Sequence, residues 1–419
     1  MDPLLPRVFD AFQTQKLEWA ILRDEDVVVP LGDVDILVSR GSLESAGAAL
    51  RELGFVRLPT VGRGSHAFYI AFSEADGSWI KLDIVTELAF GPYFAFPTDM
   101  AEGCIARRTV SGQLPVLAAD DAFWSLLLHC LLDKGTIAPK RASRLRALSQ
   151  SARSDGPWRH LVDELCPPGW SSQRLIEASR NAGWRELEPL ASAMRRNCVR
   201  SDPYRAAWRL ASGRVGKLLE APRAFLSRPS MSVALLGPDG VGKTTLAVGI
   251  RNSFPLPTYG AYMGLWQHPS TESRRPLPGL DLFGRLAGLW RRYLLAMYHR
   301  ARRRLVIFDR YSYDALIPQP GHQTRRNRIY LWLLGHACPP PDLVFLLDAA
   351  GEIAHARKGE YPAEYLDRER SGFLSLQRHV PRIQVVDASR AQDAVRYDVT
   401  ERIWQRYVGR WRYGADHRR

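Results

Sequence analysis

Eight consecutive residues carry the most specific chemistry in this chain. Gly237-Pro238-Asp239-Gly240-Val241-Gly242-Lys243-Thr244 follow the pattern GxxxxGK[ST] without a gap. The glycines allow the backbone to wrap closely around phosphate oxygens, with several N–H groups pointing inward. An apolar run, Val233–Leu236, precedes the loop, and Thr245–Ile250 has the pattern of a helix start, whose positive N-terminus would face the same anion. Lys243 supplies a mobile cation for the outer phosphates, and the Thr244 hydroxyl suits Mg2+. The stretch Gly237 to Thr245, including Pro238, Asp239 and Val241, is therefore expected to cradle a nucleoside triphosphate with Mg2+.

Two later segments supply candidate partners. Leu305–Phe308 reads as a buried strand ending in Asp309-Arg310-Tyr311. Residues just past a strand's C-terminal end face the ligand crevice of a doubly wound sheet. That points Asp309 toward Mg2+ or an acceptor group and Arg310 toward a phosphate; a capping aspartate beside a surface arginine is the plainer alternative. Farther on, Leu347-Asp348 are followed by Arg357-Lys358-Gly359-Glu360 and the charged run Glu364–Arg370. Arg357 and Lys358 could close over a transferring phosphoryl group and exclude water, or belong to a solvated charged helix. The NKxD base-recognition motif of GTPases is absent.

A second set of carboxylates lies near the N-terminus. Asp33 and Asp35 stand at i and i+2, so in a strand they share one face, and Asp83 lies on a further expected strand. Three convergent carboxylates would bind divalent cations and position a triphosphate for nucleotidyl transfer. Strand-edge and turn aspartates are the alternative.

The elements that must position these groups fall into three regions. Residues 1–118 alternate helix-like and strand-like patterns: a helix over 4–16, strands at Val27–Val29 and Asp33–Val38, a helix over Ser42–Leu53, and strands His66–Phe72 and Trp79–Val85. Residues 119–228 lose the strand signal and read as a helical connecting domain. Trp158, Trp170, Trp184 and Trp208 are its expected packing residues, and Tyr204–Leu226 is a basic, partly amphipathic helix. Arg228-Pro-Ser230 is the natural hinge. Residues 229–419 alternate strands with helices, which argues for a parallel sheet covered on both faces. The fold class is thus α/β, with a doubly wound parallel sheet in the C-terminal part and an α+β N-terminal domain.

Composition narrows the function classes. The 419 residues are 46% hydrophobic and 24% charged, and no stretch is apolar enough for a spanning helix. The first 100 residues hold 8 Lys+Arg against 15 Asp+Glu, so the remainder carries nearly all the positive charge behind the net +14. A basic body favours phosphorylated ligands, nucleic acid or an anionic membrane surface. Five scattered cysteines, none in a CxxC pair, argue against a disulfide framework and fit a reducing cytoplasm. His129, His160 and His268 lack metal-ligand spacing. Arg291, Arg292 and Arg300–Arg304 could offset a helix dipole, or Arg291 or Arg292 could reach an acceptor phosphate.

GPDGVGKTT at Gly237–Thr245, Asp309-Arg310-Tyr311, and the Pro341–Leu366 stretch together resemble the thymidylate-kinase family of P-loop kinases over about residues 230–408. The resemblance implies a parallel-sheet core with a lid and γ-phosphoryl transfer from ATP. It would give Lys243 and Thr244 the ATP–Mg2+ role, Asp309 and Arg310 the acceptor side, and Arg357 or Lys358 the lid cation. Where that family carries an Arg-Glu-Pro-Gly-Gly-Thr-like segment after its second strand, this chain reads Tyr259–Pro269, which leaves the acceptor open. Tyr259, Tyr262 and Trp266 could stack on a base or sugar there, or be core.

Gly32-Asp33-Val-Asp35 with Asp83 resembles the DNA polymerase beta-like nucleotidyltransferase superfamily over about residues 15–100. The Gly-Ser pair usual upstream of its aspartates is missing, so a degenerate domain is as consistent as an active one. The leading expectation is an ATP-dependent kinase acting on a nucleoside monophosphate, sugar or related small acceptor. The alternatives are a nucleic-acid-binding P-loop ATPase and a nucleotide-binding regulatory protein with little turnover. Oligomeric state stays open.

Overall fold

The structure, a computed structural model, describes residues 4–23, 33–58, 64–227, 230–265, 280–317, 324–380 and 382–416. The strand expected at Val27–Val29, the hinge residues 228–229, Trp266 and His268 lie outside them. The chain divides into two compact units: residues 1–73 with 78–224, and residues 74–77 with 225–419.

The first unit opens with α1 (Leu4–Thr14), β1 (Trp19–Ile21), β2 (Val34–Val38), α2 (Leu43–Glu52), β3 (Val56–Arg57), β4 (Ala67–Ser73) and β5 (Ser78–Val85). It continues through the short pair β6 (Ala89–Phe90) and β7 (Phe96–Pro97), then α3 (Met100–Ala106), β8 (Thr109–Ser111) and β9 (Leu114–Val116). Its seven-stranded sheet is mixed, in the order β3-β4-β5-β2-β1-β9-β8. β2 and β5 run parallel with Asp35 opposite Asp83. β1, β8 and β9 are too short for the alternation that marks a strand in the sequence, and pairing in the sheet decides their state.

Alternation along β2 splits its side chains between two cores. Val34, Ile36 and Val38 pack with α1 and α2 around Phe9, Phe12, Trp19 and Leu50. Leu37 and, on β5, Val85 join the opposite core with Trp124, Leu128 and Trp158. That second core is built from α4 (Ala119–Leu128), α5 (Pro139–Ser149), α6 (Arg159–Leu165), α7 (Ser172–Arg180), α8 (Trp184–Leu187) and α9 (Leu190–Ser201). The helical region thus covers one face of the N-terminal sheet, within the same unit. Of its tryptophans, Trp158 is fully buried and hydrogen-bonds Asp121 Oδ1 at 2.7 Å, and Trp170 and Trp184 are partly buried. Trp208 is instead 73% exposed on α10 (Pro203–Ser227), because the long helix turns that side to solvent, so it is not a packing residue. All five cysteines are free and buried.

The second unit alternates strand and helix: β10 (Met231–Leu236), α11 (Lys243–Ser253), β11 (Thr258–Tyr262), α12 (Leu280–Ala301), β12 (Leu305–Asp309), α13 (Arg325–Gly335) and β13 (Leu343–Asp348). α14 (Gly351–Lys358), α15 (Ala363–Ser375), β14 (Ile383–Asp387) and α16 (Gln392–Asp416) complete it. The five strands are all parallel, in the order β11-β12-β10-β13-β14. The apolar runs of β10, β12 and β13 fill the centre, as a sheet covered on both faces requires. The chain leaves central β10 toward one edge and returns to the other side for β13, which makes a switch point at the strands' C-terminal ends. Tyr259 and Tyr262 belong to edge strand β11 itself rather than to a loop after it. Its half-buried pattern lacks the apolar run that marks its neighbours. Among the described residues, no helix is long and apolar enough to cross a membrane.

Candidate functional site

The glycine-rich loop leaves β10 at this switch point, and its glycines do what the motif requires. Gly237 has φ +141°, and a Cβ there would sit 2.6 Å from the Leu347 carbonyl oxygen; Gly240 has φ +82°, and a Cβ there would collide with the Ala354 carbonyl oxygen. Both positions combine a left-handed backbone with a neighbouring carbonyl that has no room to retreat, so only glycine fits. α11 begins at Lys243, immediately after Gly242.

The Lys243 ammonium is folded back into the loop. It donates to the carbonyls of Gly237 at 2.8 Å and Pro238 at 2.6 Å, with Asp239 at 3.6 Å. Burial, then the nearby Arg310 charge, lower its pKa to about 8, against the pull of Asp239. Thr244 donates its hydroxyl proton to Asp309 Oδ2 at 2.6 Å, which joins the loop's last residue to the end of β12. The other oxygen, Asp309 Oδ1, is buried with no hydrogen-bond partner in the protein. A hydroxyl beside a half-satisfied carboxylate is the donor set for a hard cation that takes its remaining ligands from water and phosphate. The residues fit Mg2+, with Thr244 and Asp309 to hold it.

Arg310 comes next with φ +65°, unusual for a residue with a side chain, while its N–H donates to the Leu235 carbonyl at 3.1 Å. This bend turns the guanidinium across the loop, where it pairs with Asp239 and lies 3.5 Å from Asp314. Asp314 is almost fully buried, and burial raises its carboxyl to about 6 even against the charges of Arg310 and Lys243. The Asp239 carboxyl moves the other way: burial opposes ionisation, but Lys243, Arg310 and Lys358 outweigh it and lower the pKa.

A cleft of about 890 Å3 opens over these groups. Its floor is the loop from Asp239 to Thr245, with Tyr262 and Arg310 on one side. α14, the turn after it and α15 contribute Arg357, Lys358, Tyr361, Tyr365 and Glu369, and the turn after β14 adds Ala388 and Arg390. Arg357 donates to the Ala388 carbonyl at 2.9 Å, tying α14 to that turn. Lys358 pairs with Glu360 at 2.8 Å on the cleft rim. The charged run therefore divides its work: Arg370 grips Asp348 with two hydrogen bonds of 2.6 and 2.8 Å, while Tyr361 and Tyr365 stack with centroids 5.0 Å apart. Burial, then Asp239, raises the Glu369 carboxyl.

No sequence pattern singles out Asp314 or Arg390; Tyr361 and Glu369 lie within the Pro341–Leu366 stretch and the charged run without being distinguished there. A run of aspartates at successive strand ends (Asp309, Asp348, Asp387) is the available signal for the β14 turn. Tyr259 stacks on His299 at 3.7 Å and is half-buried, whereas Tyr262 lines the cleft.

The N-terminal aspartates behave differently. Asp35 and Asp83 do lie opposite each other on neighbouring strands, but each meets a base of this chain. Arg23 pairs with Asp35 at 2.6 Å, and His66 Nδ1 pairs with Asp83 at 2.7 Å, its ring stacked on Phe94 at 3.8 Å. Asp33 is exposed just before β2. Among the described residues, no three His, Cys, Asp or Glu side chains gather to hold a metal ion. The three aspartates do not gather into one cluster among the described residues: Asp35 is taken up by Arg23, and Asp83 by a hydrogen bond with His66.

No family model matches this sequence, and no curated protein matches it. Among solved structures, the chain is similar to deoxyadenosine kinase from M. mycoides with bound dATP, at 14% identity over 41% of this chain and 98% of that one, TM-score 0.32. A second structure of that kinase, with products dCMP and a flexible dCDP bound, matches at 14% identity over 42% of this chain and all of the other, TM-score 0.30. Thymidylate kinase from Candida albicans is similar at 19% identity over 43% of this chain and 94% of that one, TM-score 0.35.

Proposed function

We propose that the C-terminal unit is an ATP- and Mg2+-dependent kinase that transfers the γ-phosphoryl group to a small acceptor. The observation that carries this reading is the convergence of Lys243, Thr244, Asp309 and Arg310 on one phosphate-sized cradle that opens into a larger cleft. A hydrolase needs room for one nucleotide and water. Here the volume beyond the loop, lined by Tyr262, Arg310, Tyr365 and Glu369, suits a second small molecule.

In this reading the loop amides and Lys243 hold the outer phosphates of ATP. When bound, Mg2+ supplies charge neutralisation on the transferring group, held by Thr244 and Asp309. Arg310 leaves Asp239 for the acceptor or the γ-phosphate as charge builds there. The bond from the γ-phosphorus to its bridging oxygen breaks as the acceptor oxygen bonds to that phosphorus, and ADP leaves. Arg357 keeps α14 anchored to the Ala388 turn, so that α14 and α15 form a roof that excludes water.

The acceptor is a nucleoside monophosphate, a sugar or a related metabolite, with ATP as donor. The test is product balance by phosphorus NMR: a kinase yields ADP and phosphorylated acceptor in equal amounts. ADP with free phosphate alone would reject the reading.

A further inference from the structure

Two neighbouring helices of the C-terminal unit carry an outward surface that the cleft chemistry does not use. α12 buries Leu289, Tyr293 and Ala296 in the core. Its other side exposes Phe283 (72%), Trp290, Leu294 (58%), Leu295 and Tyr298. Phe283, Trp290, Leu294 and Tyr298 are spaced seven, four and four residues apart, a single helical stripe about 22 Å long. α13 packs beside it and repeats the pattern: Leu334 is buried, while Ile329, Trp332 and Leu333 are exposed. Soluble surfaces scatter large apolar residues singly, so a stripe of this kind marks an interaction site.

The charge around it selects the partner. Residues 280–304 contain seven arginines and one acidic residue, Asp281; residues 324–338 contain three arginines and none. Arg291, Arg302, Arg325, Arg326 and Arg328 are exposed among the apolar side chains. Arg302 lies over the Tyr298 ring at 5.7 Å and donates to its hydroxyl at 3.0 Å. Two copies of this face brought together would oppose arginine to arginine with almost no counter-charge. Nucleic acid would satisfy the arginines but leave Leu294, Leu295, Ile329 and Leu333 against phosphate. Aliphatic side chains flanked by Trp, Tyr and Arg match an interface with acyl chains below and anionic headgroups above.

We propose that the outward side of α12 and α13 docks the protein onto an anionic lipid surface. The apolar stripe enters the headgroup boundary, and the arginines snorkel to the lipid phosphates. No helix needs to cross the bilayer.

The test is co-sedimentation of the full chain with phosphatidylglycerol/phosphatidylcholine vesicles and with pure phosphatidylcholine vesicles, alongside oligonucleotide binding and light scattering for oligomeric state. Binding to the anionic vesicles is expected. It should fall roughly tenfold or more both in Leu294→Ser/Leu295→Ser and in Arg325→Glu/Arg326→Glu, with the far-ultraviolet spectrum unchanged. All four positions are exposed, so the substitutions leave the core intact. The proposal is overturned if wild type ignores anionic vesicles or binds neutral ones equally. It is also overturned if either folded variant binds as wild type, or if the substitutions instead abolish a dimer or an oligonucleotide complex.

Discussion

The Thr244 hydroxyl and the Asp309 carboxylate meet at 2.6 Å, although 65 residues separate them in the chain. The contact exists because β10 and β12 are adjacent and in register, with Leu235 opposite Asp309, so the loop leaving one strand reaches the end of the other. It unites the phosphate loop and the Asp309-Arg310 pair into one centre.

Lys243→Ala should abolish nucleotide turnover, by roughly 10²–10³-fold or more, without unfolding the protein. The variant leaves the Gly237 and Pro238 carbonyls without their donor, at a cost of about 1–2 kcal/mol that a unit with this core absorbs. Steady-state rates, read beside thermal melts of both proteins, check this.

Arg310→Ala should weaken acceptor phosphorylation more than ATP binding. The guanidinium pairs with Asp239 and faces the open cleft, while the loop amides and Lys243 remain in place for the donor. Separate titrations of ATP affinity and acceptor KM distinguish the two. Equal loss in both would move Arg310 to the donor side.

Nucleotide binding should take up protons near pH 8. Unliganded Lys243 titrates at about 8, where half the amines are neutral, and anionic phosphates stabilise the ammonium. Uptake from this group should approach about half a proton at pH 8 and vanish near pH 6, where the lysine is already charged. Calorimetry in buffers of different ionisation enthalpy measures it. The same depression gives an opposite signature in the free protein. The unfolded lysine keeps its proton up to 10.5, so its contribution to stability rises with pH between about 8 and 10.5.

Asp35→Ala with Asp83→Ala should spare ATP turnover in the C-terminal unit but destabilise the N-terminal one. Arg23 and His66 would lose their carboxylates in a half-buried setting, at about 1–3 kcal/mol for each pair. Chemical denaturation and turnover assays on the same variant check both parts. Loss of Mg2+–nucleotide binding at the N-terminal unit would instead restore a metal role to these aspartates.

The phosphate loop and the Asp309-Arg310 pair are legible in the sequence because each is fixed locally: an apolar run must become a buried strand, and the residues just after it must face the crevice. The three aspartates do not gather among the described residues, and the reason is nonlocal. Spacing relates Asp33 to Asp35 and puts Asp83 on a further strand; strand pairing then sets Asp83 opposite Asp35, and nothing local shows that Arg23 and His66 fold against them. Asp314 is equally silent, since a carboxylate in a short turn shows no sign of being buried under Arg310. Trp208 misleads because a tryptophan in a helical region is usually core, and burial is decided by tertiary packing rather than residue type. Strand β11 escapes because an edge strand needs no continuous apolar run.

The most direct measurement of the central claim is transfer of labelled γ-phosphate from ATP into a panel of thymidine monophosphate, other nucleoside monophosphates, sugars and a single-stranded oligonucleotide, with Lys243→Ala as the blank. Label in a small molecule, absent from the blank, is the predicted result and names the acceptor class. Label released only as free phosphate, and rising with oligonucleotide, would contradict the account and make the unit a nucleic-acid-stimulated ATPase.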